Sequence, residues 1–473
     1  MTGWLHLLPE WILAGSAGAV LAADLAGARA RRALPALALA GVAATLLALW
    51  WLTPVGNFGG VFSADALGRY FKTLVLLALG WVILSAWDFS RDWRRPQGEY
   101  LLLLLAAALG MMFLASAQEL VLLYVGLELT TFPLVLLVAY QPAQAKSSEG
   151  GLKYLILAAL GSAILLFGFS LVYVLTGVTR LAEVTARLAV LDSNPVLLFG
   201  LLCALAGIGF KVAMVPFHTW APDAYEGAPT PVTAFLSVAG KTAGFALAFR
   251  LLPGFFPAQQ VQWSQVLAIL AAVTMTLGNF AAIPQTNLKR LLAYSSIAQA
   301  GFILMGLAAY SPRGLSALLF YLGAYLFTNL GAFGVVIAVE KATGATEIAA
   351  YQGLAQRSPR LALGLLLALL SLAGIPPLAG FAAKFYLFTA AYGQGLQWLV
   401  VLAVLNSALS LYYYLRVVRV MYILPPETGS TPIRLRDRPL TAALLLCLAG
   451  ILVLGFYPGP FVELARAALA GWF

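Results

Sequence analysis

The sequence predicts an all-α polytopic membrane protein of about fourteen transmembrane helices, with two inverted five-helix repeats and two discontinuous helices. Three observations predict it. Apolar stretches recur from end to end of the 473 residues, which are 62% hydrophobic and only 10% charged; soluble domains carry about 25% charged residues. Two of the stretches are too long for one straight span and carry helix breakers near their middles. Three of the charges inside spans, on three helices, share one depth. A transmembrane barrel is excluded, because its strands would alternate apolar and polar, and runs such as LLLLLAAALGMMFLA (101–115) do not.

Windows of about 20 residues place spans at 8–26, 34–53, 67–87, 99–117, 119–140, 150–176, 195–226, 229–252, 263–284, 288–309, 313–340, 359–393, 396–423 and 438–458. The first runs on from LLPE (7–10) with no basic region before it, so it reads as an uncleaved span and not as a signal peptide. Connections are short. The longest, 177–194 and 424–437, are too small to form domains. The expected organisation is three N-terminal helices over 1–98, a first five-helix repeat over 99–252, a second over 263–423, and a C-terminal helix in 424–473.

Basic residues set the expected orientation. With the N-terminus outside, the odd-numbered connections and adjoining span ends hold eighteen basic residues, among them Arg29, Arg31, Arg94, Arg95, Lys289, Arg290, Arg434 and Arg436. The opposite side holds six: Arg69, Arg180, Arg187, Arg250, Arg313 and Arg466. The positive-inside rule therefore puts both termini on the outer side. It also accounts for the net charge of +10 without nucleic acid, as a topology signal with some attraction to anionic lipid.

Segment 195–226, as one helix, would extend about 48 Å against a hydrocarbon core of about 30 Å. Segment 359–393 has the same excess. Gly207, Gly209 and Pro216 interrupt the first, and Gly374, Pro376, Pro377 and Gly380 the second. Interrupted helices at membrane depth are tolerated only where the freed backbone groups face protein or a wet cavity. The broken spans are the seventh and the twelfth, so units of spans 4–8 and 9–13 each have the break fourth. An odd number of spans per unit gives opposite orientations, the pattern of inverted-repeat transport folds.

Glu128, Lys211, Lys241 and Lys384 lie well inside spans. Facing lipid, the four together would cost roughly 10–14 kcal/mol; they must pair or line water. A fixed ion pair that only sets helix packing would account for one acid and one base and leave two lysines over. An amine without a fixed counter-ion in a low-dielectric site exchanges its proton near neutral pH, which points to a proton relay. Lys211 sits just ahead of the first break, where the carbonyl end of the half-helix offers partial negative charge to a cation. His218 follows that break and either passes protons on or is hydrogen-bonded at a helix start. Lys153 and Lys72, near span ends, read as interfacial snorkelling lysines. His6 and Glu10 carry no usable signal.

Tyr294, Ser295, Ser296, Thr328, Asn329, Asn406, Ser407 and Ser410 offer hydroxyls and amides that serve either a water chain or helix–helix packing. Tyr412, Tyr413 and Tyr414 approach an interface where aromatics are common. Cys203 and Cys447 both fall in apolar helices, so neither a disulfide framework nor a metal cluster is expected. No Walker loop, GxGxxG, CxxC or HExxH occurs, so no redox or nucleotide site is expected in the chain itself.

LLPEWILAG (7–15), GLELTTFPLVLLVAY (126–140), GGLKYLILAALGSAILLFG (150–168), GFKVAMVPFHTWAPDAYEGAPTPVTAFLSVAGKTAGFALAFR (209–250), NLKRLLAYSSIAQAGFILMG (287–306) and LAGIPPLAGFAAKFYLF (372–388) resemble the antiporter-like subunits of respiratory complex I. They are most similar to the N type of bacterial NADH-quinone oxidoreductases. Lysine at 384 is similar to the N type and unlike the M type, and the chain lacks the lateral helix of the L type. The resemblance implies proton translocation coupled to quinone reduction elsewhere in a complex of the bacterial inner (plasma) membrane. It implies that Glu128, Lys153, Lys211, His218, Lys241 and Lys384 form the proton relay, which raises Lys153 above snorkelling. It further implies that NAD, FMN, iron–sulfur clusters and quinone belong to partner subunits and none to this chain. The implied partners are an M-type subunit and small membrane subunits of the K, J and A types. A multi-subunit sodium/proton antiporter shares the Glu–Lys pattern, and a ferredoxin-dependent photosynthetic-type complex is the other alternative; LLPE and the lysine in GFAAKF favour the complex I reading.

Overall fold

A computed structural model describes residues 2–92, 96–189, 194–257, 259–426, 431–433, 435 and 437–472. Arg94, Arg95, Arg434 and Arg436, used above for orientation, lie outside the described residues. The chain opens with α1 (Leu8–Leu25), a single turn α2 (Ala28–Arg31) and α3 (Leu34–Leu47). A small hairpin of β1 (Gly56–Phe58) and β2 (Phe62–Ala64) follows, pairing Gly56 with Ala64. Then come α4 (Ala66–Ala86), α5 (Gln97–Ser116), α6 (Leu120–Val138), α7 (Ala145–Thr176), α8 (Leu181–Leu188), α9 (Pro195–Val212), α10 (Trp220–Gly227), α11 (Thr230–Phe235) and α12 (Lys241–Phe255). The remainder is α13 (Gln260–Ala282), α14 (Leu288–Ala308), α15 (Pro312–Thr343), α16 (Leu354–Arg357), α17 (Pro359–Ala373), α18 (Ala379–Tyr392), α19 (Gln397–Tyr422), α20 (Arg438–Phe456) and α21 (Gly459–Ala467).

Local sequence explains where these helices begin. Proline stands in the first turn of α1, α3, α9, α15 and α17, where its missing N–H is no loss. Asn194, Asn287, Ser311 and Asp437 each accept a backbone N–H as N-caps of α9, α14, α15 and α20. Among the described residues thirteen helices are long and apolar enough to cross a membrane. The fourteenth expected span, 359–393, is divided into α17 and α18, each shorter than a membrane. The expected span 195–226 is likewise divided into α9 and α10.

The chain forms two compact units. One comprises residues 1–83, 93–220 and 239–266, and the other 84–92, 221–238 and 267–473. Within the first, α5 and α6 cross at glycines: a Cβ on Gly110 would stand 2.5 Å from the Thr130 backbone nitrogen. Within the second, α13 and α14 cross the same way, with a Cβ on Gly278 falling 2.6 Å from the Ala298 nitrogen. The first unit clasps the ends of α6 and α7 by Leu120 N–H to Thr179 O (3.0 Å) and Leu181 N–H to Gln118 O (2.9 Å). The second clasps α14 and α15 alike, by Leu288 N–H to Thr346 O (2.9 Å) and Ile348 N–H to Thr286 O (2.8 Å). Both α7 and α15 run 32 residues.

Candidate functional site

The helix before the first break ends in the left-handed region at Ala213 (φ 58°), with Met214 N–H bonding back to Gly209 O at 2.7 Å. Lys211, in the last turn of that helix, is buried and donates to Thr131 Oγ1 on α6 at 3.0 Å. It stands at the carbonyl end of its half-helix, as the sequence suggested, with its amine on the α6 hydroxyl. Thr131 lies three residues beyond Glu128, on the same face of α6, and Glu128 is within electrostatic range of the Lys211 amine. Glu128 is half-buried, and its Oε1 is buried with no hydrogen-bond partner among the described residues.

A π-helical turn over Leu236–Gly240 separates α11 from α12, and Lys241, buried, is the first residue after it. Such turns widen a helix and recur at functional sites. Gly244 follows one turn later. A Cβ there would lie 2.7 Å from Val212 Cγ1 and 3.2 Å from Lys211 Cγ. Its bare backbone thus lets α9 and α12 close up, with the Lys211 stem packed one turn from Lys241.

The second unit holds Lys384, on α18. Its amine donates to Leu372 O and Ala373 O at 3.0 Å each and to Ser407 Oγ at 2.9 Å, and lies 4.6 Å from the centre of the Phe302 ring. The two carbonyls are the last of α17, orphaned where that helix turns off at Gly374 (φ 89°). They carry the partial negative charge expected at a helix C-terminus. At this second break a lysine from the following half-helix bonds the carbonyl end directly. Leu372 O also accepts from Gln299 Nε2 (3.0 Å), and Tyr321 donates to Gln299 Oε1.

Several of the expected hydroxyls and amides of this unit are bonded to one another or to neighbours: Ser295 to Tyr414, Ser296 to Tyr325 (2.9 Å), Thr328 to Ser371 (3.0 Å), and Asn406 to Asn279 (3.1 Å). Lys153 lies on an exposed face of α7 with Glu149 2.6 Å away. His218, half-buried in the turn between α9 and α10, has a buried Nδ1 with no partner among the described residues.

Sequence reasoning missed two charged pairs. Lys72 does not snorkel: it is 2% exposed and 2.6 Å from Glu10, itself 3% exposed. Arg250, placed among the outer basic residues, is buried against Asp65 at 2.7 and 2.8 Å and donates to Ala115 O. Glu10, in the first turn of an apolar helix, was the available signal for the first pair. Among the described residues no group of three or more His, Cys, Asp or Glu is placed to hold a metal ion.

Known proteins resemble this chain along nearly its whole length. A protein of Moorella thermoacetica called NADH-quinone oxidoreductase subunit N is 45% identical over 472 residues, 99% of each chain. NAD(P)H-quinone oxidoreductase subunit 2 of Synechococcus elongatus is 44% identical over 480 residues, 98% of this chain and 92% of that one. A chain of respiratory complex I from Thermus thermophilus matches with a TM-score of 0.82 at 34% identity, covering 97% of this chain and 99% of that one. The family model described as NADH:quinone oxidoreductase/Mrp antiporter, transmembrane, matches residues 117–410, and the chain belongs to that family.

Proposed function

We propose that the chain is the proton-translocating membrane subunit of an NADH-quinone oxidoreductase, a non-redox part of a translocase. In this reading Glu128, Lys211, Lys241 and Lys384 carry protons at mid-membrane, and Lys153 and His218 serve the approaches. One observation carries it: Lys211 and Lys384 are buried amines seated on hydroxyls and carbonyls, with no carboxylate of the described residues at hydrogen-bond distance in either seat. A charge held by neutral dipoles is released when a neighbouring charge moves, whereas a tight carboxylate pair would fix it. The paired glycine crossings, backbone clasps and broken helices of the two units support inverted repeats over 99–252 and 263–423. The excess of basic residues beside the odd-numbered connections supports both termini outside. The flavin, iron–sulfur, nicotinamide and quinone chemistry falls to partner subunits, with an M-type subunit and small membrane subunits as neighbours.

The test is K241A in the assembled complex. Quinone reduction continues and proton translocation falls to a small fraction of wild type. Pumping at the wild-type ratio would sink the reading.

A further inference from the structure

We propose that Thr131 and Ser407 are hydroxyl rotors: positioning residues that turn with the protonation of Lys211 and Lys384 and keep both states of each amine hydrogen-bonded. The inference rests on the reading of those lysines as proton carriers. The same arrangement occurs in each unit. Thr131 Oγ1 accepts from Lys211 at 3.0 Å and donates to Leu127 O at 2.7 Å. Ser407 Oγ accepts from Lys384 at 2.9 Å and donates to Ala373 O at 2.9 Å.

An ammonium has three donors and no acceptor. Lys384 uses all three, on Leu372 O, Ala373 O and Ser407 Oγ. When one N–H bond breaks and its proton passes to water, two donors and a lone pair remain on Nζ, and the water becomes hydronium. A carbonyl cannot donate to that lone pair. A hydroxyl can, because it both donates and accepts at one atom. Rotation about the Cβ–O bond takes the hydroxyl hydrogen from the helix carbonyl to Nζ, breaking one hydrogen bond and making another. Neither carbonyl is stranded. Leu127 O keeps the backbone N–H of Thr131 within α6, and Ala373 O keeps a remaining N–H of Lys384. Reprotonation reverses the turn.

Other lysines of the chain provide the contrast. Lys72 and Lys341 meet Glu10 and Asp437 at 2.6 and 3.3 Å, and an ionised carboxylate only accepts. Those partners hold an ammonium and cannot follow its deprotonation. Ser407 is also firmly mounted: the adjacent Asn406 is held by Asn279 of α13 (3.0 Å to its carbonyl), and Tyr413 donates to the same Asn279 (2.9 Å).

The experiment measures protons moved per quinone reduced in the assembled complex, with subunit content read on native gels. T131V keeps the shape without the hydroxyl, and S407A and S407C remove or weaken it; each should lower proton flux several-fold. T131S and S407T keep a hydroxyl and should restore it. Added to K211A or K384A, the matching hydroxyl loss should have no further effect, because the rotor acts only through its lysine. Wild-type pumping in T131V and S407A overturns the inference while leaving the relay intact. Additive effects in the double variants overturn it too, as does loss of assembly in every hydroxyl-free variant with normal assembly of T131S and S407T. Wild-type pumping in K211A and K384A would instead overturn the relay itself.

Discussion

Lys72 and Glu10 meet at 2.6 Å between α4 and α1, both nearly inaccessible, with the amine 4.6 Å from the centre of the Phe62 ring. Such a pair sets helix packing through what its loss exposes. Removing one partner strands a charge and costs about 3–5 kcal/mol, whereas replacing both with apolar groups is often neutral. K72M should therefore lower the thermal stability of the detergent-solubilised complex sharply, and E10Q/K72M should recover most of it. A double variant destabilised by the sum of the E10Q and K72M effects would show that the ions do not depend on one another.

Asp65 does two things at once: its Oδ1 caps α4 through Gly68 N–H (2.6 Å), and both oxygens hold Arg250. Arg250 lies on α12 beyond Lys241, so this pair pins the helix that presents Lys241. Burial alone would push the Asp65 carboxyl up, but the Arg250 charge and the hydrogen bonds outweigh it and hold the carboxyl below its usual range. A depressed carboxyl contributes stability above its unfolded value of about 3.9, lost as pH falls through the lower folded value. Wild-type stability should thus drop on acidification below about pH 4. D65N should be less stable at neutral pH, by about 3–5 kcal/mol, and should lack that part of the acid-induced drop. A D65N pH–stability curve parallel to wild type would refute the linkage.

Glycines at the helix crossings give a steric prediction in each unit. A Cβ at Gly110 or Gly278 meets backbone nitrogen within 2.6 Å, and backbone cannot swing aside as a side-chain tip does. G110A and G278A should each cost about 1–3 kcal/mol by overpacking. G459A, where a Cβ meets nothing within 4 Å, is the control and should be neutral. Thermal melts of the three variants check this, and a G110A or G278A melt matching G459A would show that the crossings yield.

Hydropathy made the spans legible, and the Gly and Pro residues near 207–216 and 374–380 made both breaks legible; length alone does not, since α7 and α15 run 32 residues unbroken. Lys211, Lys241 and Lys384 were legible for a related reason: an amine among leucines has no inexpensive explanation. Their partners were not. Thr131 is one of many hydroxyls on apolar helices, and only the fold brings it to Lys211. The π turn before Lys241 is marked by nothing more than Gly240, and LSVAG within an apolar run reads as ordinary helix. The Glu10–Lys72 pair joins residues far apart in sequence, and no periodicity within either helix marks it.

Gly374 joins the second break to its cation, and its replacement separates two effects. At φ 89° any other residue adopts a backbone conformation costing roughly 1–2 kcal/mol. A Cβ there would also stand 2.9 Å from Lys384 Cδ, inside normal contact, so the lysine stem must move off the carbonyls of Leu372 and Ala373. Ala213, at the matching place after α9, already takes the left-handed conformation with a Cβ, which shows that the backbone effect alone is tolerated. A213G should therefore leave both stability and pumping near wild type. G374A should lose proton translocation out of proportion to its modest loss of thermal stability, because it displaces the amine from its seat. Melting curves and pumping ratios on the two variants decide the matter: if G374A pumps normally, the geometry of the Lys384 seat does not control proton movement there.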